Sequence, residues 1–178
     1  MEASDNKRIA KNTIFLYIRM MVVMLVSLYT SRVILNTLGA SDYGIYNVVG
    51  GIVTIVSFLN SALGGSTSRF LTFALGEKNL KKQKSTFGAC LNLHIGVALL
   101  VLILGETIGL WFFYEKMVIP DDRMVAAFWV YQFSILTTMV SFTQVPYNAS
   151  LIAHEEMSIY AYVGLYEALS RLVIAYLI

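Results

Sequence analysis

Residues 13–63 read TIFLYIRMMVVMLVSLYTSRVILNTLGASDYGIYNVVGGIVTIVSFLNSAL, two long apolar runs joined by Gly39-Ala40-Ser41-Asp42-Tyr43-Gly44. Between Thr13 and Leu38 the only charges are Arg19 and Arg32. About 20 apolar residues rising about 1.5 Å each are what a hydrocarbon core of about 30 Å requires. Backbone groups left unpaired in lipid cost several kcal/mol each, so such a run is helical unless it belongs to a closed barrel. The strict alternation of a barrel strand is absent. Gly39 supplies a permissive backbone where the first helix stops, and Asp42 suits the cap of the next. Tyr43 and Tyr46 flank the turn, as amphipathic rings do at a membrane–water interface. The stretch therefore reads as a transmembrane helical hairpin.

Composition extends this reading to the whole chain of 178 residues. Hydrophobic residues make up 57% and charged residues 13%, with a mean hydropathy of +0.68, against about 25% charged residues in soluble domains. The formal charge of +2 is too small to imply nucleic acid as a partner. The single cysteine, Cys90, excludes an intrachain disulfide framework and a Cys-cluster metal site. The apolar stretch after Lys7, Arg8 and Lys11 is too long for a signal peptide and contains Arg19.

The expected architecture is all-α: a polytopic transmembrane bundle forming one domain, with spans at about 13–38, 45–75, 87–113, 124–145 and 158–178. Lys7, Arg8 and Lys11 place the N-terminus in the cytoplasm. Lys78, Lys81, Lys82 and Lys84, against the single acid Glu77, give the same orientation. They also suit anionic lipid headgroups. A helix continuous over 45–75 is about 46 Å long, so it is expected to project, tilt or bend at Gly64-Gly65. Trp111-Phe112-Phe113-Tyr114 resembles an interfacial aromatic belt. Pro120 and Asp121-Asp122 suit an external loop. Pro146 is expected to end or kink the fourth helix, leaving 147–157 as an amphipathic connector. The fifth run ends on an apolar edge at Ile178, and the chain is expected to be the N-terminal part of something longer.

No Walker loop, Ser/His/Asp arrangement or metal-ligand cluster is present, so no catalytic residue, metal or cofactor is expected. The informative residues are charges inside spans, which normally face a bundle interior and find a partner. Glu167 and Arg171 lie one turn apart and share a stripe with Tyr160 and Gly164. That stripe suits a cavity wall and suits a structural staple equally. Glu106, in the outer half of the third helix, suits a proton or cation relay, with snorkelling as the competing reading. Arg19 either snorkels to the cytoplasmic surface or meets an anion. Arg69 follows the glycine pair and suits an anion at a bend, or else marks the interface. His94 is expected to be a satisfied buried histidine.

The residues also resemble a known family. Lys11-Asn12-Thr13-Ile14-Phe15-Leu16-Tyr17-Ile18-Arg19-Met20, Ser31-Arg32-Val33, and Leu38-Gly39 with Asp42-Tyr43-Gly44-Ile45-Tyr46 look like the N-terminus of bacterial polysaccharide-biosynthesis flippases. These are the Wzx-type O-antigen and capsule exporters of the multidrug/oligosaccharidyl-lipid/polysaccharide superfamily. Pro146-Tyr147-Asn148-Ala149, Ile152-Ala153-His154-Glu155 and Glu167-Ala168-Leu169 resemble the family's connector between helices four and five. The resemblance implies a MATE-like N-terminal lobe, here incomplete with five spans, in the bacterial inner membrane. It implies a polyprenyl-pyrophosphate-linked oligosaccharide as substrate, membrane lipids around it, and the polysaccharide polymerase machinery as a further partner. Under it, Arg19 and Arg69 are candidates for binding substrate, and Glu106, Glu167 and Arg171 for coupling or gating. Two other readings remain open: a cation-coupled drug antiporter of the same superfamily, and a small scaffold packing through faces such as Gly88 and Gly96.

Overall fold

The computed structural model describes residues 2–54 and 56–177, with the side chains of residues 2–9, 11, 52–54 and 57 outside the described set. The side chains of Lys7, Arg8 and Lys11, which carry part of the orientation argument, therefore lie outside the described residues. Among the described residues the secondary structure is helical throughout, with no strand. In order these are α1 (Glu2–Thr54), α2 (Ser57–Gly76), α3 (Leu80–Leu104), a π-turn (Gly105–Gly109), α4 (Leu110–Lys116), a 3-10 turn (Asp121–Arg123), α5 (Met124–Ala153) and α6 (Met157–Leu177).

Three stretches among the described residues are long and apolar enough to cross a membrane: Asn12–Gly51, Leu80–Lys116 and Asp121–Ala153, of 40, 37 and 33 residues. The first is twice what a bilayer needs, and Gly39 divides it. This glycine has φ 76° and ψ 169°, a backbone region that side-chain-bearing residues essentially do not occupy. The break falls where the glycine of the turn is expected to stop the first helix. α2 and α6 are not among the three, and in α6 Glu167 and Arg171 lower the apolar average.

The chain forms two compact units. One comprises the described residues up to Tyr43 together with those from His154 onward, and the other comprises Gly44–Ala153. In the first, the N-terminal segment of α1 runs parallel to α6. Asn12 donates from its amide to the Glu155 carbonyl at 3.4 Å, Phe15 meets Tyr162 edge-on, and the Tyr29 and Tyr176 hydroxyls hydrogen-bond. α6 buries Ala161, Gly164, Ala168 and Ala175, small residues that let helices approach closely.

In the second unit α3 runs antiparallel to both α2 and α5. One core cluster is Val49, Phe113, Ile119, Ala127, Tyr131 and Ile135, and a second is Ala98, Val101 and Phe142. Outside these seams the helices stay apolar: Met20, Met21, Leu28, Ile103 and Phe133 are all exposed. A surface of this kind suits lipid rather than water.

Several boundaries differ from those expected, for local reasons. α3 starts at Leu80, not near residue 87, because the Asn79 side chain accepts hydrogen bonds from the Lys81 and Lys82 amides and caps the helix. The lysines thus occupy its first turns, and Lys82 pairs with Glu77 at 2.6 Å. α2 runs through Gly64-Gly65 without a break. A Cβ at Gly64 would lie 3.4 Å from Val145 of α5, an ordinary contact distance. Pro146 is buried inside α5, which continues to Ala153, and the expected connector shrinks to the turn at residues 154–156. Phe113 of the expected aromatic belt is wholly buried, while Trp111, Phe112 and Tyr114 are exposed.

Candidate functional site

Arg19 sits two turns from the polar beginning of an apolar helix segment, and α6 supplies its surroundings. Its guanidinium carbon lies 4.4 Å from the centre of the Tyr160 ring. Such a cation over an aromatic face is worth about 0.5–2 kcal/mol, more when desolvated. Gly164, one turn further along α6, completes the pocket by having no side chain. A Cβ there would collide with the Arg19 guanidinium. The Arg19 Nε is buried with no hydrogen-bond partner, and no carboxylate pairs with the guanidinium among the described residues.

The acid nearest in sequence to this pocket is already engaged. Arg171 donates from Nη2 to Glu167 Oε1 at 2.6 Å, one turn apart on α6, and both side chains are mostly exposed on this unit. The stripe of Tyr160, Gly164, Glu167 and Arg171 therefore divides in two. Its first half receives Arg19 and its second half neutralises itself.

The remaining candidates lie in the second unit. Glu106 is half-buried within the π-turn, and Gln132 of α5 donates from Nε2 to Glu106 Oε2 at 3.3 Å. The turn is held by an unusual pair of acceptances at one atom. The Gly105 carbonyl receives the Leu110 amide, five residues on, and also the Tyr131 hydroxyl at 2.7 Å. π-turns are local interruptions often found at functional sites. Tyr131 and Gln132 were not singled out from sequence. The available signal was the spacing Gly105-x-x-x-Gly109, a small-residue pair that admits a large side chain from a neighbouring helix. Arg69 is exposed on α2 and has no ion pair among the described residues. His94 is wholly buried, with Nδ1 2.8 Å from the Cys90 carbonyl and Nε2 unpartnered. It is thus half satisfied, not fully as expected.

α2 and α5 flank an open groove of about 350 Å³ lined by Asn60, Ser61, Gly64, Val145, Asn148, Ala149 and Ile152. The Asn60 Oδ1 is buried there without a hydrogen-bond partner.

No family model, curated protein or solved structure matches the chain.

Proposed function

We propose that the chain is the N-terminal part of a bacterial inner-membrane flippase that moves polyprenyl-pyrophosphate-linked oligosaccharide to the outer leaflet for surface polysaccharide synthesis. The observation that carries this reading is Arg19. It is a cation in an apolar helix, stacked on Tyr160, with a buried Nε that no side chain satisfies. An unpaired charge at membrane depth costs at least about 2.5 kcal/mol unless it meets a partner or snorkels. A diphosphate supplies that partner, and guanidinium forks match phosphate oxygens in two-point fashion. Arg69 offers a second, exposed cation for the same headgroup in transit.

Glu106, Glu167 and Arg171 are assigned to coupling or gating. Glu106 has the stronger claim, because its one side-chain hydrogen bond is to the neutral amide of Gln132 and no cation pairs with it among the described residues. The parallel course of α1 and α6 puts the N-terminal turns of α1 on the same side as the α5–α6 turn. The cytoplasmic start expected for both from sequence requires this arrangement.

Complementation of surface-polysaccharide export tests the proposal. Hydrogen bonds to a charged group contribute about 1.5–3 kcal/mol, so Arg19→Ala should lower export by about 10- to 150-fold at unchanged membrane level. Arg19→Lys keeps the charge but not the planar stack, and should fall between. Export unaffected by Arg19→Ala refutes the assignment.

A further inference from the structure

We infer that the turn from α2 into α3 holds the headgroup of an anionic phospholipid, with Lys78, Lys81 and Lys84 as its counter-charges. Four lysines stand within residues 78–84, against the single acid Glu77. Only one of them is engaged within the chain: Lys82 pairs with Glu77 at 2.6 Å and lies over the Phe73 ring. Lys78, Lys81 and Lys84 are exposed and have no ion pair among the described residues. Lys81 and Lys84, three apart on α3, share one face of that helix.

This placement is unfavourable without an anion. α3 begins at Leu80, so Lys81 and Lys84 fall in its first two turns, at the end that carries the positive pole of the helix dipole. The first turn holds no acid, and the Asn79 side chain that caps it is neutral. Orientation across a membrane asks only that lysines lie in the connecting turn. It does not ask that they crowd a helix start. An anionic group relieves the repulsion among three like charges and meets the helix pole as well.

The surroundings select a lipid over other anions. α3 opens the stretch Leu80–Lys116, long and apolar enough to cross a membrane. The apolar part starts near Phe87, and at about 1.5 Å per residue Lys84 and Lys81 lie about 4.5 and about 9 Å beyond it. That is the depth of a headgroup layer about 5–8 Å thick, which long lysine side chains reach. Phe70, Phe73 and Leu80, on the last two turns of α2 and the first of α3, are 64%, 69% and 71% exposed. A ligand with a negative head and apolar chains meets both surfaces, whereas an acidic peptide or a free phosphate meets only the lysines. The inference requires the chain to span a membrane; it is independent of any exported substrate and of Arg19 and Arg69.

The test is fluorescence quenching by brominated lipid, with the full chain reconstituted into liposomes whose two leaflets have the same composition, so that orientation does not affect the reading. Trp111→Phe and Trp129→Phe remove the native fluorophores, both exposed, and Leu80→Trp places one beside the lysines. Dibrominated phosphatidylglycerol is titrated against dibrominated phosphatidylcholine in a phosphatidylcholine background. Association at the reporter should favour phosphatidylglycerol by about fivefold or more, which is what one lysine near an anionic surface supplies. The preference should vanish when Lys78→Gln, Lys81→Gln and Lys84→Gln are combined, and survive when Lys78→Arg, Lys81→Arg and Lys84→Arg are combined. Lys116→Gln, at the other end of the stretch, should leave it unchanged. The inference is overturned by equal quenching from the two lipids, or by a preference that survives the triple glutamine variant. It is overturned equally by a preference lost in the arginine variant or in Lys116→Gln, which makes fold or total charge its cause. Displacement by millimolar inorganic phosphate at constant ionic strength also overturns it, since the site is then one for a free anion.

Discussion

Removing one hydroxyl, by Tyr131→Phe, tests how the π-turn is built. The ring is almost fully buried in the core formed with Val49, Phe113, Ala127 and Ile135, and the substitution leaves that packing in place. What disappears is the 2.7 Å bond to the Gly105 carbonyl, which keeps its second donor, the Leu110 amide. The loss is therefore one hydrogen bond rather than an orphaned carbonyl, about 0.5–1.5 kcal/mol. Gly109→Ala attacks the same point from the other helix. Its Cβ would overlap the Tyr131 hydroxyl, and overpacking of this kind costs about 1–3 kcal/mol. With the hydroxyl gone the nearest obstacle is the Tyr131 Cζ at 3.2 Å, which a shift of a few tenths of an ångström relieves. The double variant should thus be less destabilised than the sum of the two, by about 1 kcal/mol, as coupled neighbours are. Equilibrium unfolding in mixed micelles, followed by the fluorescence of Trp111 and Trp129, measures all four corners of the cycle. Strict additivity would refute the contact between the Tyr131 hydroxyl and the π-turn.

Two further predictions concern the places where helices begin and break. Gly39→Ala should destabilise the chain by about 1–3 kcal/mol, because φ 76° with ψ 169° is a region only glycine enters cheaply; an unchanged unfolding midpoint would mean the break does not lie there. Asn79→Ala removes the acceptor for the Lys81 and Lys82 amides and should cost about 0.5–2 kcal/mol, whereas Asn79→Asp should be tolerated; hydrogen exchange at the first turn of α3 should rise in the alanine variant alone.

What was legible in the sequence was whatever depends on local chemistry. Length and apolarity give the helices, and Gly39 marks the break because no other residue type tolerates that backbone. The misread boundaries are those where tertiary contact decides. Pro146 signals a helix end or a kink by its missing amide, yet it lies buried in the bundle and the helix does not end there but continues to Ala153. Gly64-Gly65 signals a bend by flexibility, yet α2 runs through the pair as one helix. Asn79 offered a capping residue in plain sight, obscured by the lysines after it, which read as loop. At the site, single charges could be named, but their partners could not. Nothing in the spacing of one helix says that Tyr160 and Gly164 meet Arg19 on another, or that Gln132 meets Glu106.

The charges in the apolar helices differ in how their cost is met, and that difference ranks them. Glu167 and Arg171 cancel within one helix turn at 2.6 Å, so bringing an anion or cation to either must first break an existing pair. Glu106 is met only halfway, by a neutral amide at 3.3 Å, and has no ion pair among the described residues. Arg19 is met by a ring face and by the absence of a side chain at Gly164, neither of which neutralises it. An aromatic face stabilises a guanidinium by less than an ion pair in the same low-polarity setting. Stacking therefore holds the group in one orientation without saturating it, which is what a transient anion site requires: binding firm enough to select, weak enough to release. Gly164→Val, which forces the guanidinium off Tyr160 while leaving its charge intact, should therefore impair export nearly as much as Arg19→Ala. Breaking the Glu167–Arg171 pair with Glu167→Gln should cost less.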